Sequence, residues 1–349
     1  MKTALRRNAP PACLMAAGLA LAALAATASP VQAGEIGHYV PGLPNLRDFF
    51  VPPEPGFYGI LYNYFYTTGR LNDRNGDEID SVTIGPGPGA TLDVDVDVDL
   101  YALTPAVMWV SPWKIFGARY AAVIFPSFAN SSIGASLATE TGRGVDPETS
   151  HFNVGDLFVQ PVTLGWALKH WGFTFAYGFY APTGKYDVED VTLPAIGTLE
   201  VEASDNIGLG FWTHQIQGAA AWYPFGHPGT AVTAALTYEI HHKKEDFDFT
   251  PGQNLTLNWG ISQYLPLKKD QTLLLEVGPA GYSSWQVTDD SGNDARNADV
   301  HDQVHAAGGQ LGLTYVPWNA GLTFHALYEF AAEDRFQGQA FGVTIIKKF

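Results

Sequence analysis

The sequence predicts an all-β protein built as one transmembrane, antiparallel, up-and-down β-barrel of about twelve strands. Three observations carry that prediction. Segments of about ten residues with alternating polarity recur along the chain, separated by turn residues. The connections between them alternate between long and short. The closing segment keeps its alternation to the last residue, Phe349.

Residues 1–33 read as an export signal. Lys2, Arg6 and Arg7 precede an apolar, Ala- and Leu-rich run from about Leu14 to Ala26, and Val31-Gln32-Ala33 puts small residues where a signal peptidase cuts. Cys13, the only cysteine, lies in that run after Pro10-Pro11-Ala12, so neither a lipoprotein anchor nor a disulfide is expected. Cleavage would leave 16 basic against 35 acidic residues, a formal charge of −19. An acidic surface of that size excludes nucleic acid as a partner, because phosphate needs a basic one. Beyond the signal no apolar stretch of about 18 residues remains for a spanning helix. Lipid then admits only a sheet closed on itself, with every backbone group paired. Residues 34–55, rich in proline and apolar side chains, come before the first strand. They are expected either to hang in the periplasm or to enter the lumen as a plug, with residues 56–349 forming the barrel.

The twelve expected strands are Phe57–Thr68, Leu92–Val110, Ile115–Phe128, Asn153–Leu168, Trp171–Thr183, Gly208–Tyr223, Thr230–His242, Asn254–Leu265, Thr272–Val287, Asp302–Val316, Gly321–Ala332 and Gly338–Phe349. In the seventh, Val232, Leu236, Tyr238 and Ile240 oppose Thr233, Thr237, Glu239 and His241. In the eleventh, Leu322, Phe324, Ala326, Tyr328 and Phe330 oppose Thr323, His325, Leu327 and Glu329. Period two with one apolar face describes a sheet that is dry on one side and wet on the other. Connections after odd-numbered strands are long and polar, as in Gly69–Thr91 and Ala129–Phe152. Those after even-numbered strands are short, as in Ser111–Lys114 and Lys169–His170. Short periplasmic turns and longer extracellular loops give that asymmetry, and an even strand count leaves both ends in the periplasm. Trp109, Trp113, Trp166, Trp171, Trp222 and Trp318 sit at or beside the short turns, where an interfacial girdle belongs. Pro105 and Pro161, inside strands two and four, point to bulges or to later strand starts. Gly308-Gly309 in strand ten interrupts the alternation and points to another bulge.

Few residues suggest chemistry. Asp93, Asp95, Asp97 and Asp99 alternate with valines, so their carboxylates share one face of a strand, and that face must meet water. It is either a solvated strand beyond the membrane or a cation-attracting strip. Asn72–Glu78 and Asp289–Asp294 resemble calcium loops only loosely and fit turn chemistry better. Histidines are scattered without His-x-x-x-His spacing, so no metal site is signalled. No serine stands in a nucleophile-elbow context, and an enzyme is not expected. Gln215, Gln217, Glu239, Glu276, His325 and Glu329 are polar residues on strands, expected to face the lumen. They would either line a permeation path or pack against one another in a filled barrel.

Several stretches resemble a known family: Asn153-Val154-Gly155-Asp156-Leu157, Gly178-Phe179-Tyr180-Ala181-Pro182-Thr183-Gly184-Lys185-Tyr186, and Tyr238-Glu239-Ile240-His241 beside Asp248-Phe249-Thr250-Pro251-Gly252. With the closing Phe-Gly-Val strand they are similar to the MetA-pathway of phenol degradation family, the SphA-like outer-membrane transporter proteins. The resemblance runs from about Gly56 to Phe349 and carries over no catalytic residue. It implies an outer-membrane barrel for passive uptake of small, largely hydrophobic compounds, aromatic or aliphatic, with no cofactor. The expected partners are outer-membrane lipids, lipopolysaccharide and small hydrophobic solutes, and the closing strand ending on Phe349 resembles the C-terminal signal that the barrel assembly machinery reads. The competing expectation is a barrel whose loops carry an adhesive, structural or hydrolytic role.

Overall fold

The computed structural model describes residues 37–84, 90–138, 149–193, 197–203, 205–295 and 298–349, so the export-signal reading falls outside the described residues. Twelve strands, each paired with its sequence neighbours, close into one antiparallel barrel. They are β1 (Gly56–Thr68), β2 (Ala90–Ile115), β3 (Ala118–Phe125), β4 (Leu157–Ala167), β5 (Trp171–Ala181) and β6 (Thr213–Trp222), then β7 (Thr230–His241), β8 (Asn254–Pro266), β9 (Leu273–Gln286), β10 (Gln303–Tyr315), β11 (Ala320–Glu333) and β12 (Gln339–Lys348). β1 closes the ring, bonded to β2 on one side and β12 on the other, in an unbroken register on both. Closure leaves the twelve-strand ring itself without an edge among the described residues, which is the condition for lying in hydrocarbon.

The faces sort as the alternation predicts. On β7, Val232 and Leu236 point outward at 39% and 44% exposure while Thr233, Thr237 and Glu239 are buried inside. On β11, Leu322, Phe324, Tyr328 and Phe330 are exposed outside and His325 is buried inside. The outer wall is thus apolar and the inner wall is polar, the reverse of a soluble barrel. Trp113, Trp171, Trp222 and Trp318 are exposed at the short-turn rim, where Trp171 pairs with Trp222 across β5 and β6. Trp109 and Trp166 lie beside them, half-buried, with the Trp109 ring edge-on to Trp113 at 5.7 Å.

The structure revises several boundaries. The third and fourth expected strands are each broken, at Pro126-Ser127 and at Gly155-Asp156. Residues expected as a loop after strand three instead extend the sheet: Phe128–Ala138 pairs with the upper half of β2 and with Thr149–Val154. The 26-residue β2 therefore projects well past the ~10 residues that cross a bilayer. Asp97 and Asp99 lie exposed on its outer face, beyond Tyr101, as a solvated strand requires. Pro161 sits at bulges toward both neighbours, as its missing N–H suggests. Pro105 stays in register with Leu61, and the ladder on its other side is interrupted opposite Pro126. Gly308 and Gly309 form no bulge: they pair continuously with Leu327 and Ala326, and the irregularity lies between Gln303 and His305. The sixth strand starts at Thr213 rather than Gly208, because Gly208 packs against Gly184.

Candidate functional site

The barrel holds part of its own chain inside. Residues 37–55 run through it, from the long-loop end at His38 to the short-turn rim at Glu54, where Lys348 bonds the Glu54 carboxylate. The sequence of this stretch explains why it stays separate from the wall. Pro41, Pro44, Pro52, Pro53 and Pro55 lack the N–H that a ladder needs. The chain instead folds into short turns, with Leu43 N donating to Val40 O, Asp48 N to Asn45 O, and Phe50 N to Arg47 O. Gly42, at φ +78°, turns the chain where an added Cβ would lie 2.8 Å from Leu327. The Asp48 carboxylate accepts from the Asn45 amide N–H, the Asn45 side chain and the Tyr62 hydroxyl, which fixes the central turn to β1.

The inward face of the wall supplies partners for the segment's polar groups. Tyr39 N donates to Glu239 on β7 at 2.9 Å, and Leu46 N to the Gln310 side chain on β10 at 3.0 Å. Arg47 Nε bonds Glu276 at 3.0 Å and Ser262 at 2.9 Å, with its guanidinium 4.1 Å from the centre of the Tyr264 ring. Asn258 donates to the Tyr39 hydroxyl. Apolar anchors alternate with these bonds: Leu46 is buried, and Phe49 packs on Ala219 and Ala235. Each such anchor stabilises the seated segment by about 1.5–3 kcal/mol.

The six residues expected in the lumen all point inward, and they divide by partner. Glu239, Glu276 and His325 hold the segment, through Tyr39, Arg47 and Asn45. Gln217 bonds Thr237 within the wall. Glu329 accepts from the Tyr66 and Tyr282 hydroxyls and from Gly338 N near the long-loop end. Gln215 is buried, with its side-chain oxygen unpaired among the described protein groups. The residues that sequence reasoning passed over are those of the segment itself, above all His38, Arg47 and Asp48, and also Asp156. The Asp156 carboxylate accepts from Gly184 N, Leu209 N and the His38 ring, each at 2.8–2.9 Å. It therefore ties two of the recognised motifs, Gly155-Asp156 and Pro182-Thr183-Gly184, to the segment. Those motifs position backbone. The backbones of Gly155, Gly184 and Gly208 are packed so closely that a Cβ on Gly184 would lie 2.7 Å from Gly208 Cα.

At the long-loop end the first and last long connections are zipped together. Asn72 N donates to Arg335 O, Asp334 N to Asp73 O, and Leu71 bridges Phe336. Arg335 is buried against Asp302 at 3.3 Å. Burial, then the charges of Asp302, Asp73 and Asp290, pushes Asp334 up to about 6. The Asn72–Glu78 and Asp289–Asp294 stretches form turns. Asp73 accepts from the amides of Asn75 and Asp77, and Asp290 from Gly252.

A closed barrel with an apolar outer wall, an aromatic rim and a chain segment seated in a polar lumen has the fold of the outer-membrane channels. The chain belongs to the MetA-pathway of phenol degradation family, whose profile matches residues 68–345. It is similar to the COG4313 outer membrane channel from Pseudomonas putida F1 at 14% identity and a TM-score of 0.56, over 88% of this chain and 100% of that one. Weaker likenesses are to the β domain of the Bordetella autotransporter BrkA, at 10% identity and TM-score 0.48 over 85% of this chain and 100% of that one, and to the CymD monoaromatic hydrocarbon channel, at 8% and 0.40 over 93% and 98%. At these identities the likeness is one of fold. No curated protein sequence matches.

Proposed function

We propose that the protein is an outer-membrane channel for passive uptake of small, largely hydrophobic compounds, aromatic or aliphatic, with residues 34–55 acting as its plug. The observation that supports this reading best is the manner in which the segment is held. Its apolar anchors, Leu46 and Phe49, are interleaved with hydrogen bonds to polar groups of the wall, bonds that water can replace at modest net cost once the segment leaves. Lipopolysaccharide resists apolar solutes, and a barrel that opens its lumen gives them a route without a nucleotide or cofactor. The family's association with phenol degradation favours the same class of cargo. In this reading the apolar band faces outer-membrane lipid and lipopolysaccharide, the assembly machinery reads the strand ending on Phe349, and the barrel is a transporter rather than an enzyme. The test is uptake by a deletion strain together with flux into proteoliposomes. Slowed uptake of phenol-sized solutes at low external concentration, restored by the gene, supports it. Normal uptake with impermeant proteoliposomes refutes it and leaves a loop-borne role.

A further inference from the structure

We infer that His38, Glu239 and His241 form a binding site for a zinc-class divalent cation, one that fastens the N-terminal segment to the barrel wall. Each of the three presents one ligand atom, and these atoms lie within 4.8 Å of one another. Glu239 and His241 stand at i and i+2 of β7 and so share its inward face, while His38 comes from the segment about 200 residues away. Two imidazoles and a carboxylate are a donor set suited to zinc, nickel or copper, with a further coordination position left open.

The hydrogen bonds around the cluster leave it a donor atom with no other use. His38 Nε2 lies 2.9 Å from Asp156 Oδ2, and the carboxylate there makes Nε2 the protonated nitrogen. His38 Nδ1 then carries a lone pair and accepts from the Thr213 hydroxyl at 2.8 Å. The Thr213 oxygen in turn accepts from His241 Nδ1, also at 2.8 Å. This chain puts a bare lone pair on His241 Nε2, which is buried and unpartnered among the described residues. An unsatisfied buried acceptor costs about 1–3 kcal/mol, which a bound cation removes. The Asp156–His38 pair matches the carboxylate–histidine arrangement that orients a metal ligand from behind. Tyr180 stacks on His38 at 4.6 Å and Phe211 meets it edge-on at 5.0 Å, holding the ring. Zinc–nitrogen bonds of about 2.0–2.1 Å set ligand atoms about 3.3 Å apart, so the three need close by no more than about 1.5 Å. Lys244 is near enough to act on His38, and its ammonium is paired with Glu202.

The inference stands apart from the channel reading, because binding is measured on the folded barrel whether or not a solute passes. The signal-less protein in detergent, stripped with a chelator, is titrated with zinc sulfate by calorimetry, and cobalt is added separately for its visible absorption. The expected result is one site per chain. Binding should weaken about 100-fold in His38→Asn and His241→Asn, and about tenfold in Asp156→Asn, with the rim variant His227→Asn unchanged. Heat-modifiable mobility shows which variants fold. If His241→Asn does not, Glu239→Gln and deletion of residues 34–54 test the same site. Absence of stoichiometric binding by the unaltered barrel, or binding that survives loss of both His38 and His241, would overturn the inference.

Discussion

Removing the segment seated in the barrel, the proposed plug, should have a consequence whose size follows from the barrel. Twelve strands spaced ~4.8 Å apart and tilted by ~40° make a ring with a backbone radius of about 12 Å. Inward side chains take up about half of that, so an emptied lumen is about 12 Å across. A water-filled pore of that width through a ~30 Å membrane conducts on the order of 1 nS in molar potassium chloride. The intact lumen holds Tyr39, Leu46 and Phe49 buried against several strands and should conduct at least tenfold less. Deleting residues 34–54 leaves Pro55 to start β1 and removes no strand. The assay is single-channel recording in planar bilayers, after heat-modifiable mobility has shown that the shortened barrel folds. Steps near a nanosiemens in the deletion and near silence in the intact protein are expected. Equal conductance in two folded proteins would refute the plug.

Three further outcomes follow from particular contacts. Arg47→Met removes the charge that pairs with Glu276, and breaking a partly buried pair costs about 2–3 kcal/mol, so bilayer recordings should show openings about 30–150 times more frequent than in the intact channel. Asp334 titrates near 6 when folded and near 3.8 when unfolded, so the folded state holds its proton more tightly; stability from this group is full below about pH 4 and is lost as pH rises to about 6. Asp334→Asn should remove that loss, of the order of 1 kcal/mol after solvent screening, read as a difference in thermal midpoint that grows from pH 4 to pH 7. Gly184→Ala drives a methyl against the Gly155 and Gly208 backbones and should lower the unfolding midpoint by an amount matching about 1–3 kcal/mol, while Gly218→Ala, with open space around it, should not.

The barrel was legible because its physics is periodic. A wall that is dry outside and wet inside imposes period two, and Val232 through His241 obey it without a break. Where side chains say little, the reading failed. Gly308 and Gly309 carry no polarity signal, so a continuous strand looked like a bulge. The breaks at Pro126-Ser127 and Gly155-Asp156 depend on contacts with Asp156 and Gly184, which no local pattern encodes. Glu239, Glu276 and His325 stood out in the sequence because polar side chains on strands of such a wall turn away from lipid, and all three are buried. What they touch was hidden, because the proline-rich segment has no period and its partners lie 200 or more residues away, as Tyr39 and Glu239 do. The grouping of His38, Glu239 and His241 is hidden in the sequence for a related reason: His-x-x-x-His is a helical spacing, whereas a strand brings side chains together at i and i+2, and His38 comes from elsewhere.

In the proposed channel solutes cross only when the segment leaves the lumen, and a reversible disulfide staple measures that dependence. Gly260 on β8 faces Leu46 so closely that an added Cβ would lie 2.4 Å from a Leu46 methyl carbon, so cysteines at the two positions point at one another. Cys13 is the only native cysteine, so the pair Leu46→Cys and Gly260→Cys can be oxidised without rivals in the barrel. Flux of a phenol-sized solute into proteoliposomes is then measured before and after reduction of the same preparation. At least a tenfold rise on reduction, absent from either single variant, is the predicted result. Equal flux through the stapled and reduced channels would contradict the account.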